Sequence, residues 1–356
     1  MSKRTLCRKL DQVRPSWEPF SCDWRQVALA TRVRLARNLA GEPFPAKADA
    51  DTLLRVEARL RRSLQAAPAF KGGLLLRVDE ALPVEREMLV ERRLISPELA
   101  RGGLGRAFAA SRRHHVTAMI NEADHLRVQA LLPGLDLARA WRLVAATLEQ
   151  VDDGSGLAFH PRLGYLTSDP GSVGTGLRAS VMLHLPGLAL RGCIGQIEHA
   201  LRLLGYHLGG VFGDGSEARG DLYQVANLST LGEDEEAILR GLDDTLQEVI
   251  RHEVSARLAL VRSETALLYD HIGRAYGILR FSRLLTEEEA LGGLSALACA
   301  LRLGLLPGLD PAALNRLMLD VQPGHMQHRV DQDVCPQERD MMRALIVREE
   351  LAAARR

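Results

Sequence analysis

A cluster of glycines followed by one arginine carries the first chemical signal in this sequence. Between Gly164 and Met182 an apolar run breaks into G-Y-L-T-S-D-P-G-S-V-G-T-G-L-R-A-S-V-M, in which Gly171, Gly174 and Gly176 lack the Cβ that would keep an anion from the backbone N–H groups. Arg178 follows with a planar fork of donors suited to phosphate. The spacing matches neither the G-x-x-x-x-G-K-[ST] phosphate loop nor a dinucleotide fingerprint, so taken alone the stretch reads as a β-turn. Upstream, V-A-L-A-T-R-V-R-L-A-R-N-L alternates, with Arg32 and Arg34 on one side and Val33 and Leu35 on the other. The bland reading of that segment is a solvated edge strand; the sharper one is two guanidinium groups aimed at one ligand. Lysine occurs at only four positions, so 42 of the 46 basic side chains are arginine. Arginine is the cation that grips planar anions in a bidentate way.

Composition sets the frame for that chemistry. A chain of 356 residues with 46% hydrophobic and 26% charged residues is long enough for two domains and is neither disordered nor fibrous. A formal charge of +1 gives no global pull toward nucleic acid or a membrane surface. Five cysteines, at 7, 22, 193, 299 and 335, show no C-x-x-C spacing and suggest neither a disulfide framework nor a zinc site. The first residues lack an apolar signal region, and no run approaches 18 uncharged apolar residues. A reduced, cytoplasmic protein is the expectation.

The elements that must position the arginines follow from periodicity. Residues 1 to about 25 form a polar lead-in with Trp17 and Trp24 as anchors. Asp51 to Gln65 has helical spacing with Asp51 as its N-cap. Leu74–Val78, Val116–Ile120 and Leu222–Ala226 read as strands, and Leu137–Val151 and Ile194–Leu204 as helices. Strands without regular βαβ spacing predict an α+β domain built on an antiparallel sheet. From Glu233 strand signals fade. Apolar residues at 238, 242, 246, 250, 254 and 258 predict one long helix from Asp234 to about Asp270. Thr286 with Glu289 forms a capping box, Asp310–Pro311 an N-cap with proline at N1, and Gln337–Ala354 a last helix. The expected organisation is a domain over residues 1–255 and an all-α domain over residues 256–356.

These segments resemble the ATP:guanidino phosphotransferases (phosphagen kinases), and among them the bacterial protein-arginine kinases of the McsB type. The resemblance rests on T-R-V-R-L-A-R-N, L-I-S-P, N-E-x-D-H-L-R-V-Q, L-P-G-L-D-L, V-G-T-G-L-R-A-S-V-M-L-H-L-P, G-S-E-A, L-Y-Q-V-A-N, R-A-Y-G-I-L, Q-P-G and E-R-D-M-M-R-A, in that order along nearly the whole chain. It implies transfer of the ATP γ-phosphate to arginine side chains of proteins. ATP phosphates bridged by Mg²⁺ would lie on Arg32, Arg34, Arg127 and Arg178. The segment Arg178, Ala179, Ser180, Val181, Met182 and the turn holding Gly210, Gly213 and Asp214 would complete the nucleotide site, with no resident protein-bound metal. Such chemistry needs phosphates held and neutralised, and carboxylates to hold the acceptor guanidinium and take its proton.

The sequence departs from that pattern at the acceptor side. The second glutamate of N-E-E-D-H, the base in such kinases, is Ala123. Glu122 is expected to be a poor substitute because adjacent side chains of an extended segment face opposite ways. The glutamate of the second turn is Asp214, an arginine before it is Gly209, and C-P-T-N becomes Asp169-Pro170-Gly171-Ser172. One reading is a decayed site; another is relocation, with Asp169 and Asp214 as the catalytic carboxylates. Functionally these become an active kinase, or a silent pseudokinase that serves as a nucleotide- or phosphoarginine-binding adaptor.

Arg339, Asp340 and Arg343 match an R-D-x-x-R-A motif which, by the same resemblance, binds phosphoarginine allosterically; the alternative is a surface charge lattice. The resemblance further implies arginine-bearing protein substrates, Clp chaperone–protease machinery, an activator protein and a homodimer as partners. His125 is expected to be structural, His114 and His115 exposed, and Cys193, Cys299, Met341 and Met342 packing residues.

Overall fold

The computed structural model describes residues 5–13, 23, 26–151, 154, 156–211, 218–306, 308–330 and 334–353. Trp17, Trp24, Gly213 and Asp214 lie outside them. Eight strands form one antiparallel sheet in the order β2-β3-β4-β5-β1-β8-β10-β9. They are β1 (Ala28–Arg37), β2 (Leu74–Arg77), β3 (Ala107–Ala110), β4 (Val116–Ile120), β5 (Leu126–Pro133), β8 (Leu177–His184), β9 (Tyr206–Gly210) and β10 (Leu222–Asn227). A separate pair, β6 (Phe159–His160) and β7 (Gly164–Tyr165), makes a small hairpin. β1 is a central strand between β5 and β8, not an edge.

Helices before residue 228 are α1 (Thr5–Asp11), α2 (Ala50–Ala66), α3 (Pro83–Glu91), α4 (Pro97–Ala100), α5 (Leu137–Val151), α6 (Pro186–Leu190) and α7 (Ile194–Leu203). Beyond it the described chain is helical: α8 (Glu235–Arg262), α9 (Thr265–Phe281), α10 (Glu287–Arg302), α11 (Pro311–Asp320), α12 (Pro323–Val330) and α13 (Pro336–Ala353). The expected antiparallel sheet flanked by helices, followed by a helical region, is what forms.

Alternation along the central strands decides what each sheet face carries. Val33, Leu35, Val128, Ala130, Ala179, Val181 and Val225 point into one core with Leu60, Leu64, Val144, Leu242 and Leu246 of α2, α5 and α8. The opposite face is apolar only at its ends. Ala30, Leu131 and Met182 meet Leu291, Leu294 and Leu297 of α10, while Phe108 and Met119 meet Met88 and Leu89 of α3 with Leu6 and Leu10 of α1. Between these two packed ends lies a polar band.

Several local expectations change. α2 is capped by Asp49, whose side chain accepts from Thr52 N at 2.8 Å, not by Asp51, which sits within the first turn. The single helix expected over 234–270 breaks at Ser263–Glu264. Periodicity ran through the break because Leu260, Leu268 and Ile272 enter the same small core, so the second helix keeps the apolar face of the first. His114 is buried, held in a turn with φ +58°, while His115 is half-buried. Cys299 is buried as expected, whereas Met341 is exposed on α13.

Candidate active site

Register brings the four arginines onto one face. Arg34 stands directly opposite Arg178 on one side and Gln129 on the other. Arg32 stands opposite Ser180, and Arg127 opposite Ala36. Directly opposed residues of antiparallel strands share a face, and residues two apart on a strand do too. Arg32, Arg34, Arg127 and Arg178 therefore all project from the polar band, away from the valine-rich core. Ser180 and Met182 join them. Ala179 and Val181 do not: their side chains are fully buried in the opposite core, and their backbone belongs to a strand paired on both edges. Gly210 falls on the core side with Leu208, since the two are separated by one residue.

The electrostatics of this band are those of crowded, partly desolvated cations. Burial, with Arg127, Arg32 and Arg178 nearby, pushes the Arg34 guanidinium down to about 9, against the pull of Glu122. Cations crowded at this density raise the energy of the ligand-free protein and are relieved by an arriving polyanion. Arg32 donates to Gln224 Oε1 at 3.1 Å and to Ser180 Oγ at 3.4 Å, which aims its guanidinium across β8. A further arginine escaped the sequence reading. Arg93, just before the quoted L-I-S-P, is buried, carries φ +60°, and is pushed down to about 9 by burial and by Arg32. A bulky side chain in the left-handed region is uncommon. The R-R pair preceding L-I-S-P was the available signal.

Arg127 is held by the turn that precedes it. Asn121, at φ +52°, donates to Leu53 O at 2.9 Å and Gly105 O at 3.0 Å. Glu122 pairs with Arg127 and accepts from Ser96 Oγ. Asp124 accepts from Arg127 Nε at 2.9 Å, from Asn38 at 2.8 Å and from Ser168 N at 2.7 Å. Burial alone would lower the Arg127 guanidinium, but Glu122 and Asp124 overcome it and hold it above its ordinary value. The segment is a turn, not the extended stretch expected, so Glu122 does point into the arginine band. Burial works to raise its carboxyl, yet Arg127 and Arg34 hold it below the usual range. His125 accepts from Leu39 N at 3.1 Å through Nδ1 and contacts Pro43 O at 3.0 Å through Nε2. Both ring nitrogens are engaged, as a structural histidine requires.

The glycine loop does different work from that expected. Gly171 N donates to Asp169 Oδ1, Gly174 N to Tyr165 O, and Gly176 N to Ser172 O, so all three N–H groups already serve the chain. A Cβ on Gly174 would meet Thr230 O at 2.9 Å, and one on Gly176 would meet Arg37 Nη1 at 2.5 Å and Ala36 O at 2.6 Å. Both residues have positive φ. The glycines permit close backbone packing behind Arg178.

Residues 55–256 match the family model of the ATP:guanido phosphotransferase C-terminal catalytic domain, and residues 265–356 that of the protein-arginine kinase McsB C-terminal domain. The chain belongs to the ATP:guanido phosphotransferase family. It is similar to the protein-arginine kinase of Moorella thermoacetica, 42% identical over 339 residues that cover 94% of this chain and 97% of the relative. That of Pelotomaculum thermopropionicum is 37% identical over 355 residues, covering 98% and 99%. Solved structures share the fold: the duplicated taurocyamine kinase of Schistosoma mansoni with bound transition-state-analogue components at TM-score 0.59 and 19% identity, over 69% of this chain and 37% of that one. A lombricine kinase matches at TM-score 0.56 and 22% identity, over 74% and 78%.

On this phosphotransferase the remaining candidate positions separate clearly. Ala123 is half-buried, and Ser168 Oγ donates to its carbonyl, so the loop carrying Asp169 packs beside it. Asp169 is exposed and caps its own loop, accepting from Gly171 N at 3.1 Å and Ser172 Oγ at 3.0 Å. On α13, Arg343 is buried and donates to Val321 O and Leu285 O at 2.8 Å and to Asp340 at 2.5 Å. Its guanidinium is committed to the helical core, which leaves Arg339 and Asp340 half-exposed. Among the described residues no cluster of three or more His, Cys, Asp or Glu is placed to hold a metal ion, and no helix is long and apolar enough to cross a membrane.

Proposed function

We propose that the chain is an ATP-dependent kinase that phosphorylates arginine side chains of proteins in the cytoplasm. The observation that carries this reading is the convergence of Arg32, Arg34, Arg127 and Arg178 on one sheet face around the depressed Arg34. These four would bind the phosphate chain of ATP, with Mg²⁺ arriving as part of the nucleotide substrate. In the reaction a guanidinium nitrogen of the substrate loses a proton and attacks the γ-phosphorus, the bond to the β–γ bridging oxygen breaks, and ADP leaves. The arginine band neutralises charge on the transferred phosphoryl group. Asp169, on the loop beside Ala123, and Asp214 are the carboxylates assigned to the acceptor guanidinium and its proton.

The domain division at residue 255 belongs to the same reading, as do a phosphoarginine site on α13 and a homodimer. Support for the phosphoarginine site comes from Arg339 and Asp340, with Arg343 fixing the helix that carries them. Support for the dimer comes from α9, the turn that follows it and α13, which leave Phe281, Leu284, Met341 and Leu345 exposed. Protein substrates bearing arginine, Clp chaperone–protease machinery and an activator protein are the partners that the family implies.

A second reading, a silent adaptor that binds nucleotide or phosphoarginine, is favoured by Ala123. Glu122 and Asp124 already pair with Arg127, so the turn offers no unpaired carboxylate. Incubation with labelled ATP, Mg²⁺ and an arginine-rich protein decides between them. Acid-labile label on the protein is the kinase outcome; nucleotide binding without label transfer is the adaptor outcome.

A further inference from the structure

Rows of opposed residues place one more side chain on the arginine face. Arg32 lies opposite Ser180, Ser180 opposite Ala226, and Ala226 opposite His207 of β9, so one row across four strands ends in an imidazole. The next row runs Met182, Gln224, Gly209. His207 thus shares the face of the four arginines, while its neighbours Tyr206 and Leu208 pack against the opposite core.

The ring does not stand upright on its own row. A Cβ built on Gly209 would meet His207 Nε2 at 2.6 Å and Cε1 at 3.3 Å, so the imidazole leans into the space that a side chain at 209 would fill. Gly209 lacks a left-handed φ, so its absent side chain is not a backbone requirement. Gln224, directly across from Gly209, already receives the Arg32 guanidinium at 3.1 Å. The two groups therefore flank one glutamine, with only Ala226 and Gly209 as floor between them. His207 is half-buried, and no described residue hydrogen-bonds its ring.

Rows on this part of the face hold Arg32, Ser180 and Gln224 but no carboxylate, so a ligand there must be rich in acceptors and negatively charged. We infer that His207 is an additional ligand of the phosphate chain, its ring N–H donating to a phosphate oxygen on the β9 side while Arg32 holds the β1 side. This rests on the reading of the band as a nucleotide site, and it assigns to β9 a contact that the four arginines do not supply. The glycine at 209 is part of the device, because any larger residue would push the ring off the phosphates.

The test uses the full chain with ¹⁵N-labelled histidine, the His207 ring signals being identified by their loss in His207→Ala. Inorganic tripolyphosphate and ATP are expected to shift those signals, and adenosine to leave them in place. His207→Ala and Gly209→Ala should each weaken ATP binding about tenfold, roughly the share of one charge-assisted hydrogen bond, with unchanged thermal unfolding. In the double variant His207→Ala/Gly209→Arg, the arginine enters the vacated space and affinity should return. Ring signals unmoved by tripolyphosphate, in a protein whose ATP binding is lost on Arg178→Ala, would overturn the assignment while leaving the nucleotide site intact. Movement with adenosine alone would equally overturn it, placing the ring on the base. If Arg34→Ala and Arg178→Ala both bind ATP like the parent, the nucleotide reading itself fails, and this contact with it.

Discussion

His325 Nδ1 of α12 lies 2.5 Å from Glu91 Oε2 of α3, a buried contact between the helical region and the sheet domain. The same carboxyl accepts from Gly324 N at 2.5 Å and His325 N at 3.0 Å, so it closes the start of α12. Three donors depend on one side chain. Glu91→Ala would leave them buried and unpaired, at about 1–3 kcal/mol each before relaxation. We expect a loss of roughly 3 kcal/mol in urea unfolding, with Glu91→Gln, which keeps an acceptor oxygen, losing clearly less. Equal losses in the two variants would mean that packing, not these bonds, holds the helix.

The same pair sets a pH profile. Burial pushes Glu91 up to about 8, against the donors of Gly324 and His325, and pushes His325 down to about 3, aided by Arg92. Both groups are thus uncharged at neutral pH. For Glu91 the folded state holds the proton more tightly, so stability falls as pH rises from the ordinary carboxyl value toward 8. For His325 the unfolded state binds the proton first, so stability falls as pH drops from 6.5 toward 3. Between about 4.5 and 6.5 the two slopes oppose each other. Buried His114, pushed down to about 4, tilts that interval toward its upper end, and His184, held well below its ordinary value, tilts it further. Maximum stability is expected near pH 6.5, with a slope approaching ~1.4 kcal/mol per pH unit on the alkaline side. Glu91→Gln should flatten that alkaline limb and, by removing the opposing slope, steepen the fall between about pH 6.5 and 4.5, as read by chemical denaturation across pH.

Arg34 offers a trade between stability and binding. Its guanidinium is held at about 9 by burial and by three neighbouring arginines. Arg34→Met keeps the stem and removes the charge, so the ligand-free protein should unfold at the same or a slightly higher temperature. Nucleotide affinity should fall roughly 10- to 100-fold, the value of a charge-assisted contact. Calorimetric titration with ATP and a melting curve on one preparation check both halves. A destabilised variant with intact affinity would make Arg34 a fold residue.

Legibility in the sequence followed the range of the interactions. The side-by-side placement of Arg32 and Arg34 was readable because alternation is local, and α5 ends where its periodicity does. That β1 is central, that Arg93 lies beside Arg32, and that Arg343 ties Val321 to Leu285 were not readable, because each depends on a partner far along the chain. The glycines of the Arg178 loop misled for the same reason. Their missing Cβ atoms make room for Thr230 and Ala36, residues that no local spacing brings near. His114 looked polar and exposed among its neighbours, and only the fold buries it.

Ala123 is the position where function can be added back. Its backbone is fixed by Glu122 and Asp124 on Arg127 and by Ser168 Oγ on its own carbonyl, so a side chain placed there inherits a defined direction. Ala123 is half-buried and next to the exposed Asp169 loop, which leaves room for a carboxylate at the edge of the arginine band. A positioned general base contributes roughly 10²- to 10⁴-fold. If the acceptor side has simply lost its base, Ala123→Glu should raise the rate of acid-labile label transfer about 100-fold, and Asp169→Ala should change nothing. If Asp169 has taken over the proton, the pattern inverts: Asp169→Ala lowers the rate by that factor with ATP binding retained, while Ala123→Glu gains little, because two carboxylates so close would compete for one guanidinium and raise each other's proton affinity. Relocation is the outcome we expect. Initial rates of the two single variants and their double, measured at saturating ATP, separate these cases.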